Sequence, residues 1–348
     1  MNLTNQMMGL LLMATLVMHS VQAADGKIVI AHRGASGYLP EHTLASKVLA
    51  HAMGADYIEQ DVVMTSDNEL VVLHDLTLDR VTDVAEKFTD RAREDGAHYV
   101  IDFTLAELRT LHVTESPAAN QRFPAGASRF GIHTLAEEIE LIQGLNKTTG
   151  REVGIYPEIK SPWFHHLEGK DSATAILRVL RDYGYDSMDD SVFLQTFDFN
   201  ELKRIHEELF PALEMEIPLV QLIAHNEWGE TMEWDSKQWI NYDYNWMRED
   251  GGMTDLAVYA DGVGPAMDMI VSYDSSLEEI KISNLVGRAN AAGLQVHPYT
   301  FRLDPGRMPA YITDFNALLE LFLVEAGVDG VFTDFPDVAV RFVDALVD

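Results

Sequence analysis

The amino-acid sequence predicts an α/β fold, a (β/α)8 barrel with a small insertion after the second strand. Two observations carry that prediction. Short, apolar, β-rich runs alternate with helix-like segments eight times within 348 residues. Titratable residues of several kinds also recur at the carboxyl ends of those runs, the end at which such barrels build their sites. A shorter doubly wound sheet is the competing arrangement for the same alternation.

In chain order the strand candidates are residues 27–31, 55–64, 152–159, 191–197, 216–222, 262–264, 294–300 and 328–333. Helical patterns fall between them near residues 42–53, 135–147, 172–183, 199–209, 255–260, 277–292 and 317–326. Residues 78–130 break the rhythm, being polar and without a clear buried strand, and read as the insertion. Residues 226–254 carry Trp228, Trp234, Trp239 and Trp246 and read as a long loop.

Residues 1–24 carry no charged side chain, contain the apolar run Met7 to Met18 and end in Val21-Gln22-Ala23-Ala24. This pattern predicts a secretory signal peptide, residues 1–23, cleaved after Ala23, with an apolar core too short to span a bilayer. A Lys or Arg near its start is missing. The expected location is a bacterial periplasm, with residues 24–348 as the mature domain. Cysteine is absent, which excludes disulfides, a thiol nucleophile and thiolate metal sites. Stability must therefore come from the core, which a 47% hydrophobic composition can supply.

The net charge of −31 argues against nucleic-acid or anionic-membrane partners, which require clustered Lys and Arg. No stable membrane insertion is expected, while a homodimer stays open. An anionic substrate would meet a repulsive surface, so positive charge has to be concentrated locally.

Strand alternation decides which side chains point together. Ile28, Ile30 and His32 share a face, as do Tyr57, Glu59 and Asp61, then Tyr156, Glu158 and Lys160, then Phe193, Gln195 and Phe197. In a barrel these sets converge on one mouth. Glu59, Asp61 and Glu158 then bring three carboxylates together, a conflict that a divalent cation removes. All-oxygen ligation suits calcium, with magnesium as the alternative. The structural alternative is that Glu59 and Asp61 form an exposed strand edge or pair with arginines. His32 and His74 have the chemistry of a general acid–base pair. Arg33 offers a planar fork for phosphoryl oxygens and Lys160 a second cation, although both could simply pair with the acidic cluster. Glu41 and His42, near the start of the first helix, would brace this group, with Thr43 as a cap.

His32-Arg33-Gly34, Pro40-Glu41-His42-Thr43, Glu59-Gln60-Asp61-Val62, His74-Asp75 and Pro157-Glu158-Ile159-Lys160 resemble, in order, the motifs of glycerophosphodiester phosphodiesterases. Gln195-Thr196-Phe197-Asp198, Ala260 to Pro265, His297 to Arg302 and Asp329 to Asp334 extend the likeness over nearly the whole mature chain. The segment Tyr242 to Trp246 resembles the periplasmic bacterial branch. The resemblance implies a TIM barrel, calcium dependence, and hydrolysis of glycerophosphodiesters to an alcohol and glycerol 3-phosphate. It makes Glu59, Asp61 and Glu158 metal ligands, His32 and His74 the acid–base pair, and Arg33 a phosphate contact. It places Lys160, Gln195, Phe197 and Tyr299 near the substrate. It further implies attack by the neighbouring glycerol hydroxyl, through a cyclic phosphate that water opens. Two other readings compete: a lipid-cleaving phospholipase of related barrel type, and a non-catalytic protein that captures glycerophosphodiesters.

Overall fold

The computed structural model describes residues 26–115, 123 and 130–347. The expected signal peptide lies outside the described residues, as does part of the expected insertion. Eleven strands are present among them: β1 Ile28–Ala31, β2 Tyr57–Met64, β3 Leu70–Val72, β4 Gly154–Ile159, β5 Leu194–Thr196, β6 Leu219–Ile223, β7 Met232–Asp235, β8 Gln238–Asn241, β9 Gly262–Pro265, β10 Gln295–Val296 and β11 Gly330–Thr333.

Eight of these run parallel in the order β10-β9-β6-β5-β4-β2-β1-β11. The sheet curls until its two ends meet. Asp329 N–H donates to Val296 O at 3.0 Å, Phe332 N–H to Pro298 O at 3.1 Å, and Phe301 N–H to Phe332 O at 2.8 Å. The result is the (β/α)8 barrel, and each of the eight expected strands is one of its staves.

Aspartates fix the amino-terminal rim. Asp56, Asp261 and Asp329 each lie just ahead of a strand and accept the first free N–H of the neighbouring stave. Their partners are Val29 at 2.7 Å, Leu219 at 2.9 Å and Val296 at 2.9 Å. A buried edge N–H would otherwise go unsatisfied.

The barrel floor is a separate apolar cluster of Ile30, Tyr156, Phe193, Val220 and Phe332, with Ile28, Tyr57 and Tyr299 against it. Tyr156 stacks on Phe193 at 5.0 Å and meets Phe332 edge-on at 4.9 Å. The opposite strand faces pack under the helices in the main core. The alternation read from sequence thus holds: Ile30, Tyr57, Tyr156 and Phe193 fill the floor, and the polar residues two positions onward stand above it.

Several elements differ from expectation, among them the helices Pro162–Leu167 and Pro336–Val347, which no expected pattern covered, and the helix expected over 255–260, which forms at Gly252–Leu256. Strand β3 pairs antiparallel with β2, Val62 opposite Val72, and at three residues is too short to show a period. The 78–130 region is not merely polar. Leu78, Val81, Val84, Val100, Phe103, Leu108, Leu111 and Val113 build a small core of their own with Val63 and Val71. The segment read as a long loop contains the β7–β8 hairpin, Trp234 opposite Trp239. Its turn residues Ser236 and Lys237 have φ of 47° and 76°, a mirror-image turn built without the usual Asn-Gly signal. The helix expected over 277–292 forms only at Leu285–Ala291. Upstream, Ser275 and Ser276 accept from Lys281 N–H at 3.0 Å and Glu279 N–H at 3.2 Å, and such local hydroxyl bonds compete with helix.

Candidate active site

Register places the site. Asp61 lies beside Glu158 across the β2–β4 ladder, and Glu158 beside Gln195 across β4–β5. Three staves therefore present polar side chains at one height above the aromatic floor. His32 N–H donates to Thr333 O at 3.0 Å, which sets His32 just past the end of β1 at the same mouth. There a cavity of about 290 Å³ is lined by His32, Arg33, Glu59, Asp61, His74, Glu158, Gln195, Phe197, Leu222, Glu230, Tyr299, Thr300 and Phe332.

The β1 turn is held in an uncommon conformation. Arg33 has φ of 56° and Gly34 of 86°. A Cβ on Gly34 would lie 2.4 Å from Ser46 Oγ and 2.9 Å from its backbone carbon, so only glycine fits. The left-handed Arg33 is secured by two donors to its carbonyl, His42 N–H at 3.0 Å and Ser46 O–H at 3.1 Å. That turn aims Arg33 N–H at Glu59 Oε2, 2.8 Å away. Thr43 caps the following helix, Leu44–Met53, by accepting from Ser46 N–H.

Glu59, Asp61 and Glu158 are buried, and one oxygen from each lies within 4.8 Å of the others. Burial drives Glu59 upward in pKa, with Asp61 adding to it against His32 and Arg33. Burial likewise lifts Glu158 well above the usual carboxylate range despite Lys160. Burial works the same way on Asp61, but His42, His74 and Lys160 outweigh it and hold that carboxyl well below its ordinary value. Asp61 Oδ1 has no hydrogen-bond partner among the described residues. Crowded, buried carboxylates with an orphaned oxygen are what a hard divalent cation would satisfy. The three residues fit such an ion.

Both imidazoles are oriented by a carboxylate on Nδ1. His32 Nδ1 lies 2.6 Å from Asp334 Oδ1, and His74 Nδ1 lies 2.5 Å from Asp75 Oδ1. Each Nε2 is left toward the cavity, 3.9 Å from Glu59 Oε2 for His32 and 3.4 Å from Lys160 Nζ for His74. Burial, together with the cations Arg33 and Lys160, pushes His74 down to about 3.

The flanking cations stay charged. Burial opposes the Arg33 charge, but Glu41, Asp61 and Glu59 override it and raise its pKa. For Lys160, burial is overcome by Glu158, 2.8 Å away, and by Glu230 at 3.8 Å.

All the residues selected from sequence converge here. Gln195 Nε2 donates to Glu59 Oε1 at 3.0 Å, while Phe197 meets Tyr299 edge-on at 5.8 Å. Glu41 and His42 stand behind the wall, Glu41 3.0 Å from Arg33 Nη1 and His42 2.7 Å from Asp61 Oδ2. Sequence reasoning gave no role to Asp75, Arg80, Glu230 or Asp334. Asp75 and Asp334 were within motifs noted above, each at the carboxyl end of a strand region, which was a usable signal. Arg80 and Glu230 come from irregular segments and carried none.

The fold and site define a class, a barrel hydrolase with a carboxylate centre, flanking cations and two carboxylate-oriented histidines. Residues 32–338 match the glycerophosphoryl diester phosphodiesterase family, and the chain belongs to that family of enzymes. It is 52% identical over 340 residues to a glycerophosphodiester phosphodiesterase of Haemophilus influenzae, covering 94% of this chain and 93% of that one. A Treponema pallidum glycerophosphodiester phosphodiesterase is 48% identical over 330 residues, covering 92% of each. Among solved structures, an Oleispira antarctica phosphodiesterase in complex with the product sn-glycerol-3-phosphate superposes with a TM-score of 0.60. It is 23% identical and covers 92% of this chain and 97% of that one, a likeness of fold.

Proposed function

We propose that this chain hydrolyses glycerophosphodiesters, the deacylated phospholipids, to an alcohol and sn-glycerol 3-phosphate. The single observation that carries the reading is the buried Glu59, Asp61 and Glu158 triad set between Arg33 and Lys160. The family membership and its two high-identity relatives support the same reaction. The product named in the Oleispira structure is the one this reaction would release.

In this reading Glu59, Asp61 and Glu158 hold a divalent cation, calcium by preference and magnesium as the alternative. Bound there, it supplies Lewis-acid neutralisation of phosphoryl charge. Arg33 fixes phosphoryl oxygens with its fork, and Lys160 adds a second positive charge beside His74. One histidine Nε2 takes the proton of the attacking glycerol hydroxyl, and the other delivers a proton to the departing alkoxide oxygen. The P–O bond to the alcohol breaks as the ring P–O bond forms. Water then opens the cyclic phosphate, with the histidines exchanging roles. Gln195 steadies Glu59, and Phe197 and Tyr299 bound the substrate.

We further propose a periplasmic location for the mature enzyme, on the strength of the apolar leader read from sequence, and retain a homodimer as an assembly to test. Among the described residues no helix is long and apolar enough to cross a membrane. The deciding assay measures release of glycerol 3-phosphate from several glycerophosphodiesters with calcium, magnesium and no added metal. No release under any of these conditions would remove the proposed reaction.

A further inference from the structure

Lys47, in the helix Leu44–Met53, is fully buried, and its ammonium meets three acceptors. Nζ lies 2.7 Å from Glu138 Oε1 and 3.2 Å from His42 Nδ1, and it donates to the main-chain carbonyl of Glu59. Glu138 comes from the helix Leu135–Thr149 and has His133 Nε2 2.6 Å from its other oxygen. Neither Lys47 nor Glu138 lines the cavity. A buried ion pair is also a poor device for joining two helices, since apolar side chains of similar volume commonly do as well. The contacts of Lys47 lead instead to the carboxylates on β2. We propose that Lys47 is a positioning residue of that centre, orienting Asp61 through His42 and Glu59 through its backbone. The proposal rests on the reading of Glu59, Asp61 and Glu158 as holders of a divalent cation.

The first link is a choice of tautomer. An ammonium has hydrogens to give and no lone pair, so the His42 Nδ1 beside it is the acceptor. That leaves the imidazole proton on Nε2, 2.7 Å from Asp61 Oδ2, and an ionised carboxylate can only accept. Lys47 thus selects the form of His42 that grips Asp61 Oδ2. The other oxygen, Oδ1, has no hydrogen-bond partner among the described residues and is left for the ion. The opposite tautomer would turn a lone pair toward the carboxylate and repel it. The His42 main chain is itself pinned, with φ of 55° and its N–H donating to Arg33 O at 3.0 Å.

The second link follows from the barrel. β1 ends at Ala31, opposite Ile58, so the Glu59 carbonyl lies past the last pair of that ladder and needs another donor. Lys47 supplies it. The Glu59 side chain is meanwhile held by Arg33 N–H and by Gln195 Nε2. One ammonium therefore braces two carboxylates that stand two residues apart on β2, and Glu138 provides the counter-charge that lets it be buried. Groups that orient metal ligands from behind are commonly worth about ten- to hundredfold in metal affinity.

The test compares the purified full chain with the double variant Lys47→Met/Glu138→Gln, in which both charges go together so that neither is left buried alone. A second comparison is Ile142→Ala, a buried core change in the same helix as Glu138. Calorimetric titrations with calcium chloride and with magnesium chloride are run well below the Tm of each protein. The double variant should bind roughly ten- to hundredfold more weakly. Ile142→Ala should keep a Kd near wild type although its Tm falls. Nitrogen-15 NMR of the histidine rings adds a readout that lost stability does not move. His42, identified as the signal missing from His42→Gln, should carry its proton on Nε2 in the wild type and shift toward the Nδ1 form in the double variant. Unchanged cation affinity in the double variant overturns the proposal, as does equal weakening in Ile142→Ala. An Nδ1-protonated His42 in the wild type also overturns it, and that measurement needs no Lys47 variant to fold. Should the wild type bind neither ion, the cation reading itself fails and the positioning role goes with it; wild-type binding with an unmoved Kd in the double variant removes the positioning role alone.

Discussion

His32 and Asp334 stand 302 residues apart in the chain and 2.6 Å apart in the fold, Nδ1 to Oδ1. The first and last staves of the barrel are neighbours, Ala31 opposite Thr333, so the residues just past their ends must meet. Arg302 completes the arrangement, with Nε 2.8 Å from Asp334 Oδ2. A carboxylate accepting from Nδ1–H fixes both the tautomer and the ring plane of the imidazole, leaving Nε2 as the working atom.

Asp334→Asn should therefore act through His32 and not through folding. An asparagine can present its amide nitrogen to Nδ1 and stabilise the wrong tautomer, as carboxylate-to-amide changes behind an imidazole do elsewhere. We expect kcat to drop roughly ten- to hundredfold or more with KM little changed. Steady-state kinetics beside a thermal melt decides it: an Asp334→Asn enzyme of normal kcat would show that the contact is only structural.

Arg80 ties the insertion to the site. Its guanidinium lies 2.5 Å from Asp75 Oδ2 and 2.6 Å from Glu41 Oε1, and these carboxylates in turn hold His74 and Arg33. Arg80→Ala should loosen both, lowering kcat/KM about tenfold or more, with Arg80→Lys a partial rescue because an ammonium cannot serve both carboxylates as a fork. A double-mutant cycle with Glu41→Gln should show coupling on the order of 1 kcal/mol or more. Strict additivity of the two changes would mean that Arg80 and Glu41 act separately.

The parts of this site that were legible in sequence were those governed by a period. Glu59 with Asp61, Glu158 with Lys160, and Gln195 with Phe197 are each two apart on a strand, so alternation alone puts them on one face. The topology of a barrel then closes the distance between them. Arg80 and Glu230 reach the same mouth from irregular chain, where contact depends on the exact path of a loop. The β7–β8 hairpin escaped because Ser236 and Lys237 adopt positive φ without glycine or asparagine, so the turn is imposed by its flanking strands. The compact core of the insertion escaped because its apolar residues are dispersed among charges and close only against β2 and β3.

Metal removal should be visible in stability as well as turnover. Without a cation, Glu59, Asp61 and Glu158 crowd together in a buried site. A bound ion stabilises the folded state by about 2.7 kcal/mol at a hundredfold excess over Kd. Chelator should thus lower Tm and abolish activity, with calcium restoring both and magnesium less effective. Glu158→Gln should lose the metal-dependent rise in Tm, because one of the three buried carboxylates that would hold the ion is gone. A Tm in the wild type that is indifferent to chelator and to added calcium would remove the ion from the site.

Acid stability should depend on a buried ion cluster behind the cavity wall, whose Lys47 Nζ also lies 3.2 Å from His42 Nδ1. Glu138 lies in the helix Leu135–Thr149 and is fully buried, with Lys47 Nζ 2.7 Å from Oε1 and His133 Nε2 2.6 Å from Oε2. Burial alone would raise its pKa, but Lys47 and His133 outweigh it and bring the carboxyl from an ordinary 4.5 down to about 2. Because the folded state holds this proton less tightly than the unfolded chain, the stabilisation is complete above about pH 4.5 and disappears as pH falls toward 2. Its size is on the order of 3 kcal/mol. Glu138→Gln leaves Lys47 buried without its carboxylate and should be less stable by a similar amount at pH 7. Urea denaturation of both proteins from pH 7 to pH 2 should then show the gap narrowing through that window, as protonation makes the wild-type carboxyl neutral too. A gap that stays constant across the whole range would mean that the Glu138 charge contributes nothing to the fold.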